Sequence, residues 1–267
     1  MSTDPKVLKI EITRRCNARC VFCNHDPACT ETMSVETFCA ILDDFPDSKE
    51  VQPQWFGEPL MHPQFREIVL ACKDRGRRVV FYTNGSLIHR HLDAFRLLVA
   101  GDKVILSVEG RDAKTYESIR LGLHWDKLLE NVGLLRGVLA TGVQTVARIT
   151  CCKEIADDID EVRKFWEKRM DSVIVVSENP LARSVPGRYR DRKCVRPTQH
   201  FTVKADGEVC LCCINYHGGL SLGNVRDGAR KVWEEAAALR HCSHKVCNTC
   251  LFKFVPEVPH EVVADEQ

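Results

Sequence analysis

The sequence predicts an α/β fold, a partial (β/α)6 barrel with a small hairpin-plus-helix extension at its carboxy end. Short apolar runs suited to buried strands alternate with stretches of helical apolar spacing from Val7 to Val176. Alternation of that kind implies a parallel sheet with right-handed crossovers. From Arg183 the periodicity stops, and a basic stretch leads into a hairpin and a cysteine-rich tail. We divide the chain accordingly into residues 1–180 and 181–267.

The first strand is the alternating run Val7-Leu8-Lys9-Ile10-Glu11-Ile12. Ser34 caps a helix through Val35, Phe38, Ile41 and Leu42, with Glu36 in its first turn, where the helix dipole favours an anion. Val51 to Phe56 reads as a short strand, and Pro63 opens a helix through Phe65, Ile68, Val69 and Cys72. Val79 to Tyr82 is a buried strand ending at Thr83-Asn84-Gly85, followed by helical spacing from Leu92 to Val99. Val104 to Val108 is the next strand, Trp125 to Leu139 a helix, and Val143 to Thr150 a strand. Ile155 to Trp166 is helical, and Val173 to Val176 closes the series. Beyond it, Phe201-Thr202-Val203-Lys204 and Glu208 to Cys212 flank the hairpin turn Asp206-Gly207, with a helix around Val232-Trp233.

The 267 residues suffice for one large domain with an appendage, and 44% hydrophobic with 28% charged residues describes a globular protein. Lys plus Arg of 38 against Asp plus Glu of 37 offers no general grip on nucleic acid. No segment approaches a membrane span, and Met1 to Lys6 has no apolar signal core, so a cytoplasmic location is expected. The basic stretch Arg183 to Lys193 reads as a solvated linker, or as a lid whose arginines meet an anionic or hydroxylated substrate. Fifteen cysteines stand out. A disulfide framework needs a secreted context, so these thiols are expected to be reduced and partly committed to metal.

Cys16, Cys20 and Cys23 form a C-x3-C-x2-C triplet just after the first strand. Soft thiolates suit zinc, copper(I) or iron–sulfur clusters. A closed zinc site would need a fourth ligand, for which His25 is available, whereas a cluster on three cysteines keeps one iron open. In a parallel barrel, chemistry sits on loops leaving the carboxyl ends of strands. There the chain places the three cysteines, Gly57-Glu58-Pro59, Thr83-Asn84-Gly85, and Ser107 with Glu109-Gly110. Taken alone, each of these is ordinary turn or core chemistry. At the back of the chain, four cysteines on a hairpin and a C-x2-C turn make a closed site for zinc or a [4Fe–4S] cluster.

Together these features resemble the radical S-adenosylmethionine (SAM) enzymes. The resemblance implies that Cys16, Cys20 and Cys23 hold a [4Fe–4S] cluster whose open iron chelates SAM. It implies that Gly57, Glu58 and Pro59 meet the SAM amino group, and that Asn84, Ser107 and Arg120 make its polar contacts. Phe56 stands where the family's Gly-Gly-Glu-Pro begins with glycine. Cys-x12-Gly-x4-Cys followed by a distant C-x2-C is similar to the family's carboxy-terminal SPASM/twitch extension. Its ligands to a second, auxiliary [4Fe–4S] cluster would be Cys194, Cys212, Cys247 and Cys250. Cys213 is one residue out of face with Cys212, and Cys210 shares its face, so both remain rivals. No cysteine follows Cys250, which matches the shorter twitch form.

The resemblance further implies cleavage of SAM to a 5′-deoxyadenosyl radical that takes a hydrogen atom from an unactivated carbon, with electrons from a donor such as flavodoxin or ferredoxin. Three outcomes follow: dehydrogenation of an alcohol to a ketone, epimerisation, or modification of a ribosomal peptide. Arg148, near the carboxyl end of its strand, would aid alcohol deprotonation or hold a hydroxyl, and Cys213 or Cys152 would return a hydrogen atom. Strand one begins close to Met1 with no leader-peptide-binding segment ahead of it, which favours a small-molecule substrate. Size and a single auxiliary cluster resemble the aminocyclitol dehydrogenases, so a sugar-like or aminocyclitol alcohol is the expected substrate. From another class, a non-catalytic zinc or iron–sulfur module stays open.

Overall fold

The computed structural model describes residues 4–177, 194–213, 215–216, 220–241, 244 and 247. The basic stretch Arg183 to Lys193, Cys242 and Cys250 therefore lie outside the described residues. In chain order the strands are β1 (Val7–Ile10), β2 (Arg19–Cys20), β3 (Glu50–Gln52), β4 (Arg78–Thr83), β5 (Lys103–Ser107), β6 (Arg120–Leu121), β7 (Gln144–Cys151), β8 (Ser172–Ser177), β9 (His200–Val203), β10 (Glu208–Cys210) and β11 (Ser221–Asn224). The helices are α1 (Val35–Asp44), α2 (Phe65–Asp74), α3 (Leu92–Phe95), α4 (Ala113–Ile119), α5 (Trp125–Val138), α6 (Ile159–Glu167), α7 (Arg196–Gln199) and α8 (Ala229–Glu235).

Six strands run parallel in the order β1-β3-β4-β5-β7-β8, as the alternating pattern requires. Ser34 caps α1 by accepting the Thr37 N–H at 3.1 Å. Two elements are shorter than their periodicity suggests. Pro53, with no N–H for a ladder, follows the last paired residue of β3, so Val51 to Phe56 is strand only at its start. The Leu92 to Val99 stretch gives one short helix, α3, after a 3-10 turn at Ile88–Arg90. The spacing gave no warning of α4, which Asp112 caps through the Thr115 N–H at 2.8 Å, or of the β2–β6 ribbon.

Side chains alternate across a strand, and here they build two different surfaces. The outer surface packs Leu8, Ile10, Val51, Val79, Phe81, Val104, Leu106, Ala147 and Ile149 against the helices in the main core. The inner surface carries a small apolar group, Val80, Ile105 and Val146, flanked by Tyr82 and Ile174. The barrel does not end at β1. Strand β9 pairs with β1 in parallel, Val7 opposite His200 and Ile10 opposite Val203, and β10 and β11 continue the sheet to nine strands. The hairpin turn falls at Gly207, where φ is 89°, a conformation glycine adopts without strain. Phe45 of the first half packs on Phe201 and Trp233 of the second at ring separations of 4.9 and 6.4 Å.

Candidate active site

The loop leaving β1 is closed at its base by a Thr13–Thr32 bridge and by the Arg14 N–H on the Glu31 carbonyl at 2.8 Å. Its cysteines are then pinned by the β2–β6 ribbon, in which Cys20 sits opposite Arg120. The Arg120 guanidinium is buried. It pairs through Nε with the fully buried Glu109 carboxylate, donates to the Cys20 Sγ at 3.3 Å, and lies 5.7 Å from the Phe22 ring. Burial alone would lower the Arg120 pKa, but Glu109 and Cys20 more than offset it and hold the group charged. Glu109 also accepts the Thr150 N–H at 3.0 Å, which ties β7 to the same cluster of charge. Glu109 sits two residues past β5, at the strand end where the sequence places it, but its pairing with Arg120 carries no spacing signal.

Cys16 and Cys20 are half-buried and Cys23 is exposed. Burial, then Glu58 and the neighbouring thiols, pushes the Cys16 thiol up to about 12, a cost that a bound cation would offset. Among the described residues no three His, Cys, Asp or Glu side chains converge on a single metal ion. His25, the fourth ligand a closed zinc site would want, places Nε2 on the Arg14 carbonyl instead. Three soft sulfurs on one loop, Cys20 held by a fixed guanidinium and Cys23 open to solvent, are the donor chemistry of a three-cysteine iron–sulfur cluster rather than of a single ion.

Gly57 lies against the exit of β1 so closely that an added Cβ would stand 2.0 Å from the Thr13 oxygen and 2.9 Å from the Arg15 oxygen. Only glycine permits that approach. Glu58 is 3% exposed, and its carboxylate accepts the Thr83 hydroxyl at 2.6 Å, the Asn84 N–H at 2.7 Å and the Leu60 N–H at 3.2 Å. Burial raises its pKa while those three bonds oppose the rise. The carboxylate is thus spent on holding the β3 and β4 loops together, and main chain is what this turn has left to offer a ligand. Pro59 opens the 3-10 turn that follows. Asn84 is likewise occupied, donating to Asn17 Oδ1 at 2.9 Å and accepting the Ser86 hydroxyl at 2.7 Å.

Two histidines staple that turn. His62 donates from Nε2 to the Met33 carbonyl at 2.8 Å and accepts the Gln64 N–H on Nδ1 at 3.1 Å, so both ring nitrogens are used in the neutral form. His91 Nε2 donates to the Leu60 carbonyl at 2.9 Å. Burial lowers the His62 pKa from its usual 6.5. The unfolded chain therefore takes up a proton near that pH while the folded one does not. The stabilisation is complete above the unfolded value and is lost as pH falls through the folded one. Melting temperature of wild type is expected to drop more steeply than that of His62→Gln as pH falls from 6.5 toward about 5. Parallel curves would exclude this linkage.

On the inner surface, Ser107 stands in register with Arg148, and Arg148 with Ile174. The half-buried Arg148 guanidinium lies 5.8 Å from the Tyr82 ring and 3.4 Å from the Thr150 hydroxyl, and it makes no ion pair among the described residues. Ser107, the last residue of β5, and Arg148, three residues short of the end of β7, are thus register neighbours on one face of the sheet.

Of the second set, Cys194 is half-buried, Cys212 and Cys247 are buried, and Cys250 lies outside the described residues. Cys210 is buried on β10, with its thiol pushed up to about 12 by burial. The half-buried Cys213 offers its carbonyl to the Trp55 indole N–H at 3.1 Å. Cys152 is 1% exposed, which leaves Cys213 the more accessible of the two hydrogen-donor candidates.

Comparison with known proteins gives the family. Residues 10–165 match the radical SAM superfamily, and residues 194–251 match the iron–sulfur cluster-binding SPASM domain. The tungsten-containing aldehyde ferredoxin oxidoreductase cofactor-modifying protein of Pyrococcus furiosus is 40% identical over 88 residues, 31% of this chain and 25% of that one. The AdoMet-dependent heme synthase of Nitratidesulfovibrio vulgaris is 25% identical over 169 residues, 61% of this chain and 45% of that one. The chain thus spans a quarter to under a half of these relatives. Among solved structures, Streptococcus suis SuiB bound to precursor peptide SuiA superposes with a TM-score of 0.73 at 14% identity, covering 99% of this chain and 74% of that one. BtrN in complex with AdoMet and 2-DOIA gives 0.55 at 18% identity, over 90% and 87%. At these identities the likeness is one of fold.

Proposed function

Because the chain belongs to the radical SAM superfamily and carries a SPASM domain, we propose that it oxidises an alcohol of a small sugar-like or aminocyclitol substrate to a ketone. When bound, a [4Fe–4S] cluster with SAM at Cys16, Cys20 and Cys23 supplies the hydrogen-abstracting 5′-deoxyadenosyl radical, and an auxiliary cluster at Cys194, Cys212, Cys247 and Cys250 supplies a sink for the second electron. A donor such as flavodoxin or ferredoxin would deliver the starting electron.

Arg148 carries the reading. An arginine keeps its proton at any working pH, so it acts here as a donor and not as a base. With no ion pair to a carboxylate among the described residues, its guanidinium is available to an electron-rich oxygen of the substrate. Held there, a hydroxyl would have its developing negative charge stabilised as the carbon is oxidised. Ser107, in register beside it, would orient the same group or the SAM carboxylate. Tyr82 and Ile174 wall the inner surface and limit water.

Arg148→Met is expected to lower ketone formation by about 10² while SAM cleavage without substrate turnover continues. A variant as active as wild type would remove Arg148 from the mechanism. Running the reaction in deuterated water separates the alternatives. Solvent deuterium fixed on the reacting carbon would replace dehydrogenation with epimerisation, with Cys213 as the hydrogen donor.

A further inference from the structure

The segment from Trp55 to Glu58 touches both cysteine sites. On one side the Glu58 N–H donates to the Arg15 carbonyl at 2.8 Å, next to Cys16. On the other the Trp55 indole reaches the carbonyl of Cys213, next to Cys212. The rings of Trp55 and Phe56 meet Tyr216 at centroid separations of 4.5 and 4.4 Å.

Glu11, just past β1, lies beneath this contact with 0% exposure. One carboxylate oxygen accepts the Phe56 N–H at 3.1 Å; the other accepts the Ala205 N–H at 3.2 Å and the Tyr216 hydroxyl at 3.1 Å. Three separate parts of the chain thus meet on one carboxylate. Arg14 and Lys204 lie 5.4 and 5.0 Å from the Tyr216 ring and place positive charge beside it. A buried carboxylate without a local ligand role costs stability unless its bonds are needed.

We propose that Glu11 and Tyr216 are positioning residues. Through Phe56 and Trp55 they hold the Gly57–Pro59 turn in the shape that receives SAM, and so make SAM affinity depend on the carboxy-terminal hairpin. The inference rests on reading that turn as part of the SAM site. Gly57 has little room to absorb a shift of Phe56, because even a Cβ at that position would stand 2.0 Å from the Thr13 oxygen and 2.9 Å from the Arg15 oxygen. Glu58 is fixed in turn by Thr83 and Asn84. Movement at Tyr216 therefore passes into the turn instead of being lost in it. Phe56, where the family resemblance leads one to expect glycine, has a purpose on this account: its N–H engages Glu11 and its ring packs on Tyr216.

The test uses anaerobically reconstituted full-length protein titrated with SAM, following the SAM-dependent change in the iron–sulfur spectrum. Tyr216→Phe removes only the hydroxyl, Glu11→Gln keeps the shape, and Trp55→Phe keeps a ring but deletes the N–H. Tyr216→Phe and Glu11→Gln should each raise the SAM dissociation constant about tenfold with iron content unchanged. Combined, they should raise it by less than the product of the two single effects, since both variants disturb the Glu11–Tyr216 hydrogen bond. Unchanged affinity in all three variants would overturn the proposal. So would affinity lost only in step with iron content or melting temperature, which would make the contact merely structural. A wild-type protein whose spectrum ignores SAM would sink the SAM-site reading itself, and the proposal with it.

Discussion

With Cys16, Cys20 and Cys23 all changed to alanine, reductive release of 5′-deoxyadenosine from SAM is expected to fall below detection. Iron and sulfide per chain should drop by about half in the same protein. What the loop keeps is too little to hold a three-cysteine cluster. Nearby His25 has its Nε2 on a backbone carbonyl, and Cys29 is the remaining thiol on that loop. The fold should survive, because the loop is clamped from outside by the Thr13–Thr32 bridge and the β2–β6 ribbon. Iron retained in full would place all of it at the carboxy-terminal site. Continued SAM cleavage would end the assignment of these three cysteines.

The second large effect is on stability. Arg120→Met leaves Glu109 charged, fully buried and without its cation. Breaking a buried pair from one side costs about 3–5 kcal/mol, so melting should fall by on the order of 10 °C. Glu109→Gln combined with Arg120→Met should recover part of that loss, because no uncompensated charge remains. The single variant should also hold iron less well, since the N–H donated to the Cys20 sulfur goes with it. A single variant as stable as the double would show that Glu109 finds another partner or takes up a proton.

The order of parallel strands was legible because each buried strand is a continuous apolar run, and the crossovers leave helical spacing between them. The cysteine triplet was legible because metal-ligand spacing is local. Asn84 and Ser107 sit at the ends of β4 and β5 as the sequence suggests, whereas Arg148 lies three residues inside the end of β7, and their partners carry no sequence signal. Asn84 turns toward Asn17, and Glu58 toward Thr83, contacts between loops that only folding brings together. The Glu109–Arg120 pair and the Glu11 junction escaped for the same reason. A carboxylate that meets its partner only after folding carries no periodic or spacing signal. Strand β11, with the sequence Ser-Leu-Gly-Asn, has too little apolar content to be distinguished from a loop.

The pairing of β9 with β1 has a consequence for synthesis. Strand β1 is made about 190 residues before His200–Val203, the segment that pairs its second edge. Until those residues emerge, the nascent chain displays an open strand edge directly beside the cysteine loop. Asp4 waits even longer for Arg230, which it meets at 2.8 Å. Loading of iron at the Cys16–Cys23 loop is thus expected to become secure only after residues 200–203 have been made.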